Sequence, residues 1–250
     1  MRWLLIALAL NVASAHAGQM MMQTVQRAVL KPTALEGMKR LNPIALWLFD
    51  EASGNFVDIV GGVTLTAGAN IAYSQPSVNT GGQGRSARAT SGIVFGSAAD
   101  PDQFTLTNCT FICWTTSATM GGNYGFLSKD DCANEGFIGI YEATFNFYSR
   151  NSPAARKDYI GAAHTAQIPR LVQFGWTGTT ANCYVNGAVE TTGISWQTPG
   201  ANNNAFEVGA DSACGGGVVT VSGQRFQTLA IYDYELSLAQ HAWLYSLGIP

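Results

Sequence analysis

The sequence is poor in charged residues and in basic charge in particular. Only 12% of its 250 residues are charged, and 13 basic against 16 acidic residues give a net charge of −3. Without a basic stretch to neutralise phosphates, nucleic acid is excluded as an expected partner. With 47% hydrophobic residues the chain is too apolar to be disordered, and its length suits one β-domain with short appendages.

Recognisable catalytic motifs are also missing. The chain has no His-Glu-x-x-His motif, no P-loop and no Cys-x-x-Cys pair. Residues 193–197 lack the second glycine and the following helix of a serine-hydrolase nucleophile elbow. Residues 82–87 fit Gly-x-Gly-x-x-Ala, but they lie in a polar stretch that no helix follows, so we interpret them as a loop. We expect a protein that is not an enzyme.

Long apolar runs are confined to the N-terminus. Arg2 supplies a positive charge, residues 3–12 are mostly apolar, and Ala15-His16-Ala17 has the small-x-small pattern of a cleavage site. Residues 1–17 are therefore predicted to be a signal peptide of a secreted or cell-surface protein. The run is too short for a stable membrane span. The alternative is an uncleaved helix that packs on a partner in a larger assembly, such as a virus particle.

Cysteine is scarce, and its number is odd. With five cysteines, at least one must stay unpaired within the chain. Cys132 and Cys214 lie in polar loops, and export would permit a disulfide between them. Cys109, Cys113 and Cys183 lie in apolar, strand-like runs, where we expect free buried thiols.

Glycine and short apolar runs are abundant. The chain has 28 glycines and more than ten apolar runs separated by Gly, Asn, Asp and Ser turns, which predicts an antiparallel sandwich or barrel. Asn186-Gly187 predicts a tight hairpin turn. Ser237 as N-cap and Gly248 as terminator predict a short C-terminal helix.

Residues 18–42 lie between the predicted signal peptide and the predicted sandwich, which spans residues 43–250. Thr33 and Glu36 have the spacing of a capping box, so part of this segment is predicted to be helical. We interpret it as a linker or docking arm, and residues 19–41 are a candidate for self-assembly.

Four segments resemble, in the same order, those of the laminin-G-like jelly-roll family of the concanavalin A-like lectin and glucanase superfamily. They are residues 46–54 with Asp58, 111–129, 173–187 and 231–245. The resemblance covers about residues 43–247 and implies an antiparallel jelly-roll sandwich with a C-terminal helix. The chain departs from the family at Pro169-Arg170 and Thr177, which discourages the transfer of any polar function from that hairpin.

The resemblance directs attention to two kinds of site. Members of the family often bind calcium near the sandwich rim through loop oxygens, and Asp130, Asp131 and Asp211 are the candidate ligands here. Trp196 lies in a polar stretch and is the best candidate for an exposed aromatic platform that stacks on a sugar ring, the alternative being that it packs under a loop. The Glu-x-Asp-x-x-Glu pattern that the resemblance would imply for a glucanase is absent.

We therefore predict a non-enzymatic recognition domain that binds a glycan or a surface protein outside the cytoplasm. One alternative is a structural component, such as a phage virion, decoration or surface-layer protein, that docks through residues 19–41. A second alternative is a divergent glycoside hydrolase whose acid pair comes from distant loops. The fold alone does not separate these functions, because function resides in sites.

Overall fold

The computed structural model describes residues 32–78, 85–90, 94–99, 102–104, 106–116, 124–130, 136–141, 144–150, 156–163, 168–210 and 223–248. These residues form two antiparallel β-sheets that pack face to face, with a short helix near each end of the described chain. The predicted all-β sandwich with a C-terminal helix is therefore confirmed. No helix in this part of the chain is long and apolar enough to cross a membrane.

The elements are numbered in chain order. The strands are β1 (Ala45–Trp47), β2 (Thr66–Ala67), β3 (Ile71–Pro76), β4 (Arg85–Ala89), β5 (Gly96–Ala98), β6 (Asn108–Thr116), β7 (Tyr124–Asp130), β8 (Gly136–Tyr141), β9 (Thr144–Arg150), β10 (Arg156–Ala163), β11 (Arg170–Thr177), β12 (Thr180–Val185), β13 (Ala188–Ser195), β14 (Phe206–Val208) and β15 (Arg225–Tyr232). The helices are α1 (Ala34–Arg40) and α2 (Leu238–Leu247), and a 3₁₀ turn covers Asp102–Phe104.

Both sheets join strands that are distant in the chain. The first sheet has the order β13-β12-β11-β6-β15-β4-β3, with β1 also paired to β15, and the second has the order β10-β9-β8-β7-β14-β5-β2. The chain therefore passes back and forth between the sheets, as in a jelly roll. The interpretation of residues 82–87 as a loop is wrong in its second half, because residues 85–89 form strand β4. Its core-facing residues Ala87 and Ala89 are too small to mark a strand in the sequence.

The core between the sheets is largely aromatic. Phe147 and Phe174, from opposite sheets, stack with ring centroids 4.0 Å apart, and Trp47 stacks on Phe206 at 6.1 Å. Such pairs stabilise the sandwich beyond the burial of their area.

Three cysteines of the first sheet are free and buried, as predicted: Cys109, Cys113 and Cys183. Burial raises the pKa of the first two thiols well above its usual value, so they remain protonated and unreactive.

A second hydrophobic core lies on the outer face of the first sheet. Side chains alternate along β6, so Phe111 and Cys113 enter the core between the sheets while Ile112 and Trp114 point outward. The two helices cover these outward residues, and Met38 of α1 and Leu244 of α2 are buried against them. We call this layer the second core.

Helix α1 belongs to this second core. The predicted capping box is present, since the Glu36 amide donates to Thr33 Oγ1 and the Thr33 amide to the Glu36 carboxylate. Tyr232 donates its hydroxyl hydrogen to the carbonyl of Met38 at 3.3 Å, and Tyr234 to that of Leu41 at 2.5 Å. The described part of the predicted arm therefore packs on its own sandwich. Residues 19–31 lie outside the described residues, so self-assembly through residues 19–41 stays a prediction.

Helix α2 packs against the predicted hairpin turn. Asn186 and Gly187 both have positive φ, at 54° and 74°, as a tight turn between β12 and β13 requires. A Cβ atom on Gly187 would lie 2.8 Å from Cβ of Tyr245 and 3.0 Å from Cα of Ala242. Glycine at this position therefore serves both the turn and the close approach of the helix. The predicted N-cap Ser237 is confirmed.

A buried carboxylate holds the loop beside β1. Asp58 Oδ1 accepts hydrogen bonds from the amides of Leu46, Val60 and Gly61, and Oδ2 accepts one from Val63. Four backbone donors satisfy this buried charge, so its desolvation is offset. We call this arrangement the Asp58 clamp.

Replacing Asp58 by Ala should lower the free energy of unfolding by about 3 kcal/mol, because four backbone donors lose a charged acceptor. Urea denaturation measures this loss. Asp50→Ala, at an exposed carboxylate of the same region, is the matched control and should change stability by less than about 0.5 kcal/mol. Equal losses in the two variants would contradict the clamp.

His241 makes stability depend on pH. His241 lies on the buried side of α2 and is fully buried. Its ring stacks on that of Tyr184 with centroids 4.0 Å apart and makes no hydrogen bond of normal geometry. Burial lowers its pKa to about 4 from 6.5, although the Leu236 carbonyl partly opposes this shift. Below pH 6.5 the His241 side chain is therefore protonated in the unfolded chain, whereas it stays neutral in the folded chain until the pH approaches 4. The contribution of neutral His241 to the free energy of unfolding is therefore fully present above pH 6.5. It is lost as the pH falls through 4 and amounts to up to about 3 kcal/mol.

Urea denaturation at a series of pH values between 7 and 4 tests this dependence. His241→Phe keeps the stacking on Tyr184 and should flatten the dependence in that window. An unchanged slope of unfolding free energy against pH in the variant would show that other groups cause it.

Candidate functional site

Beyond the second core, the outer face of the first sheet continues as a row of four residues. The strand register pairs Ala72 with Arg88, Arg88 with Arg225, and Arg225 with Thr116, across β3, β4, β15 and β6. Their chain neighbours Ala87, Ala89 and Phe226 lie in the core between the sheets, so this row faces outward. We call these four residues the arginine row.

The two arginines of the row are directly opposite each other. Their Cα atoms lie about 4.5–5.5 Å apart in such a pair, and like charges at directly opposite positions are destabilising. Among the described residues neither guanidinium has a hydrogen-bond or ion-pair partner, and Arg88 Nε is buried without an acceptor. Residues 79–84, 91–93 and 117–123, which flank β4 and β6 in the chain, contain no acidic residue, and residues 211–222, which precede β15, contain one, Asp211.

Two hydroxyl groups beside the arginines also lack partners. Thr116, with 8% of its surface exposed, has a buried Oγ1 that makes no hydrogen bond with the described residues, and Oγ1 of the fully buried Thr228 makes none either. Thr228 is opposite Trp114 on the same outer face. Buried polar groups without partners are uncommon in folded proteins. Because both hydroxyl oxygens are buried, the polar groups of the row that a ligand can reach are the half-buried side chains of Arg88 and Arg225.

An aromatic pair borders the row. Trp114 precedes Thr116 by two residues on the same face of β6, a distance of about 6.6 Å along the strand. Tyr245 of α2 stacks on Trp114 with ring centroids 5.9 Å apart, and 41% of its surface is exposed. Tyr245, stacked on the buried Trp114, forms with the arginine row what we call the rim surface.

The chemistry of the rim surface is that of recognition. Guanidinium groups bind carboxylates through paired hydrogen bonds, hydroxyl groups donate and accept, and an exposed aromatic ring stacks on apolar faces. No nucleophile is paired with a general base among its described residues. Sequence reasoning missed the site, because Arg88 directly follows the segment 82–87 that was interpreted as a loop, and only strand pairing brings it beside Arg225.

The predicted platform residue Trp196 is not exposed, and that prediction is wrong. Only 2% of its surface is exposed, and its ring packs on Phe174 at 4.9 Å and Trp176 at 5.8 Å. The Trp196 amide donates to the Thr179 carbonyl at 2.7 Å, which turns the ring into the core. A polar neighbourhood in sequence did not indicate an exposed side chain.

Asp130, a predicted calcium ligand, is the last residue of β7 and is buried. Its carbonyl accepts a hydrogen bond from Asn204 Nδ2 at 2.8 Å, and the buried Lys129 donates Nζ to the carbonyls of Asn202 and Asn204. These contacts attach residues 202–204 to the end of β7. They use backbone carbonyls and no carboxylate oxygen.

The other predicted ligands, Asp131 and Asp211, lie outside the described residues, as do Cys132 and Cys214 of the predicted disulfide. Calcium binding and the disulfide therefore stay predictions. Within the described ranges, no group of three or more His, Cys, Asp or Glu residues is placed to hold a metal ion.

The outer face of the second sheet is polar but closed. Strand register places Ser97, Glu207 and Ser128 in one row, and all three face away from the core. Ser128 and Glu207 are buried, and Ser128 donates its hydroxyl hydrogen to the carbonyl of Ala210 at 2.8 Å. The more accessible binding groups are therefore those of the rim surface.

The fold resembles solved structures at low sequence identity. The botulinum neurotoxin serotype D binding domain superposes with a TM-score of 0.62 at 11% identity, over 84% of this chain and 52% of that one. The binding domain of botulinum neurotoxin DC in complex with SialylT gives 0.59 at 11% identity, over 82% and 51%. Trypanosoma rangeli sialidase in complex with 2,3-difluorosialic acid gives 0.57 at 12% identity, over 86% and 33%.

These likenesses show a lectin-like β-sandwich fold. The chain spans about half the length of the toxin domains and about a third of the sialidase. No family model matches the sequence, and comparison with curated proteins finds no match.

Replacing Trp196 by Ala should lower the free energy of unfolding by about 3–5 kcal/mol, because a large buried ring is removed from an aromatic cluster. Thermal and urea denaturation measure the loss. A variant as stable as the wild type would contradict the buried position.

Proposed function

We propose that this protein is a non-enzymatic recognition domain that binds glycans at the rim surface. The observation that carries the proposal is that the partly exposed Tyr245, stacked on Trp114, and the half-buried Arg88 and Arg225, which have no described partner, belong to the same outer face of the first sheet. A sugar ring offers an apolar face to stack on an aromatic ring and hydroxyl groups to hydrogen-bond at its edge. The rim surface presents both kinds of group on one face.

The structural neighbours support a glycan as ligand. One toxin domain is in complex with SialylT, the sialidase is in complex with a sialic acid derivative, and cell entry of botulinum neurotoxin type C depends on two ganglioside molecules. These are properties of those proteins, and this chain corresponds to only part of each. They favour a glycan over a protein surface as the first ligand to test.

The proposal of a non-enzyme has its own support in the second sheet. Glu207 and Asp130 occupy diagonal positions on one face of β14 and β7, at a Cα distance of about 7–8 Å. That spacing suits a pair of hydrolytic carboxylates. Both residues are buried, however, with exposed fractions of 6% and 2%. A polysaccharide would have no access to them, so we do not favour the glycoside hydrolase alternative.

The proposed setting is outside the cytoplasm, where glycans are displayed, in agreement with the signal peptide predicted at residues 1–17. The laminin-G-like assignment within the lectin-like fold is likewise part of this proposal. The structural alternative, a virion or surface-layer component, depends on residues 19–31, since residues 33–41 pack on their own sandwich.

Tyr245→Ala should weaken glycan binding roughly 3- to 10-fold, because it removes the exposed stacking ring while leaving the hydrogen-bonding groups in place. A glycan array identifies ligands, and calorimetry compares affinities. Leu238→Ala is the matched control, since Leu238 is 48% exposed on the same helix, about 10 Å away along its axis. It should bind as the wild type does.

Binding of no glycan on the array would refute the recognition proposal. Equal affinities of the Tyr245 variant, the control and the wild type would move the site away from the rim surface. Loss of particle or layer assembly on deletion of residues 19–31, together with an empty array, would favour the structural alternative.

A further inference from the structure

We infer that the Arg88–Arg225 pair makes the rim surface selective for saccharides that carry a carboxylate. This inference rests on the proposed function, since it assumes that the rim surface binds a saccharide. It adds the charge of the ligand, which neither the fold nor the aromatic pair determines.

The pairing of the arginines is the first argument. Two guanidinium groups at directly opposite positions repel each other, and neither has an acidic partner among the described residues. Strand β4 pairs with β15 at Arg88 and Ala87, and the pairing continues only through the backbone hydrogen bonds of Ala89 with Gln224 and Gly223. The arginines therefore cost stability at a short strand pairing, and an anion placed between them would remove that cost.

The surroundings specify what kind of anion fits. Thr116, whose hydroxyl oxygen is buried, lies directly beside Arg225, and the small side chain of Ala72 lies directly opposite Arg88 on its other flank, so no second charge is placed beside the two guanidinium groups in this row. Planar guanidinium groups match the two oxygens of a carboxylate through paired hydrogen bonds. A carboxylate is thus an anion that these donors suit, and the proposal commits to it as the acidic group of a saccharide.

The aromatic pair indicates that the carboxylate is attached to a ring. Trp114 lies about 6.6 Å from Thr116 along β6, and the Tyr245 ring stacked on it is exposed. A ligand that holds its carboxylate at the arginines and extends along β6 towards Trp114 would reach the partly exposed Tyr245. Sialic acids and uronic acids both combine a carboxylate with a pyranose ring.

The experiment compares ligands that differ only in charge. Binding of 3′-sialyllactose, its methyl ester, lactose and glucuronic acid to the full chain is measured by calorimetry at low salt. The variants are Arg88→Gln, Arg225→Gln and Arg225→Lys. Arg40→Gln removes the same charge at an exposed position of α1 and serves as the control.

The wild type should bind 3′-sialyllactose roughly 10- to 100-fold more tightly than the methyl ester, because the ester cannot accept charge-assisted hydrogen bonds. Both glutamine variants should lose this preference and bind the two ligands equally. Arg225→Lys should keep only part of it, since lysine cannot bind a carboxylate in a bidentate manner. Arg40→Gln should retain it. Binding of glucuronic acid in addition would extend the ligand class to uronic acids, and its absence would restrict the class to sialic acids.

Stability without ligand is an independent readout. Arg88→Gln and Arg225→Gln should melt at the same or a higher temperature than the wild type at low salt, because the repulsion is removed, and the difference should shrink as salt screens the charges. This measurement also shows that the variants fold.

The outcomes separate the two proposals. Equal binding of the acid, the ester and lactose would overturn the selectivity for carboxylates and leave glycan recognition intact. A preference for the acid that persists in both glutamine variants would assign the charge recognition to another surface and overturn the inference. Binding of none of the saccharides would refute glycan recognition at this surface and the inference with it.

Discussion

The burial of the outer face of the first sheet is the constraint on which the rest of the structure depends. Strand β6 has apolar residues on both faces, and Ile112 and Trp114 would be exposed if only the two sheets packed together. The two helices cover these residues, so most of that face is closed to a ligand. The cover ends near Trp114, where Tyr245 remains partly exposed. The rim surface exists because the helical cover stops there.

The protein has few charges, and the buried carboxylate of Asp58 and the arginine pair lie in opposite environments. The buried Asp58 carboxylate accepts four backbone hydrogen bonds and organises a loop. Arg88 and Arg225 lie against each other without a described partner. A satisfied charge contributes to folding, whereas an unsatisfied pair of like charges costs stability and retains its capacity to bind. This contrast is why the arginines, and not the buried carboxylates, mark the candidate site.

Much of the fold was predictable because it rests on local interactions. The capping box at Thr33, the N-cap at Ser237 and the positive φ angles at Asn186 and Gly187 involve neighbouring residues, so their patterns predict them directly. The candidate site was not predictable in the same way. Strand β4 consists of Arg, Ser and Ala residues, whose alternation is too weak to indicate a strand.

By itself, the sequence determined the class of the fold, the approximate position of many strands, the helix caps and the hairpin turn, since periodicity and turn chemistry act over a few residues. Tertiary structure alone decided which aromatic residues are exposed. It turned Trp196 into the core and left Tyr245 at the surface. It also brought Arg88 beside Arg225, because strand register joins residues that are far apart in the chain. Burial and charge pairing depend on such distant contacts, and no local pattern encodes them.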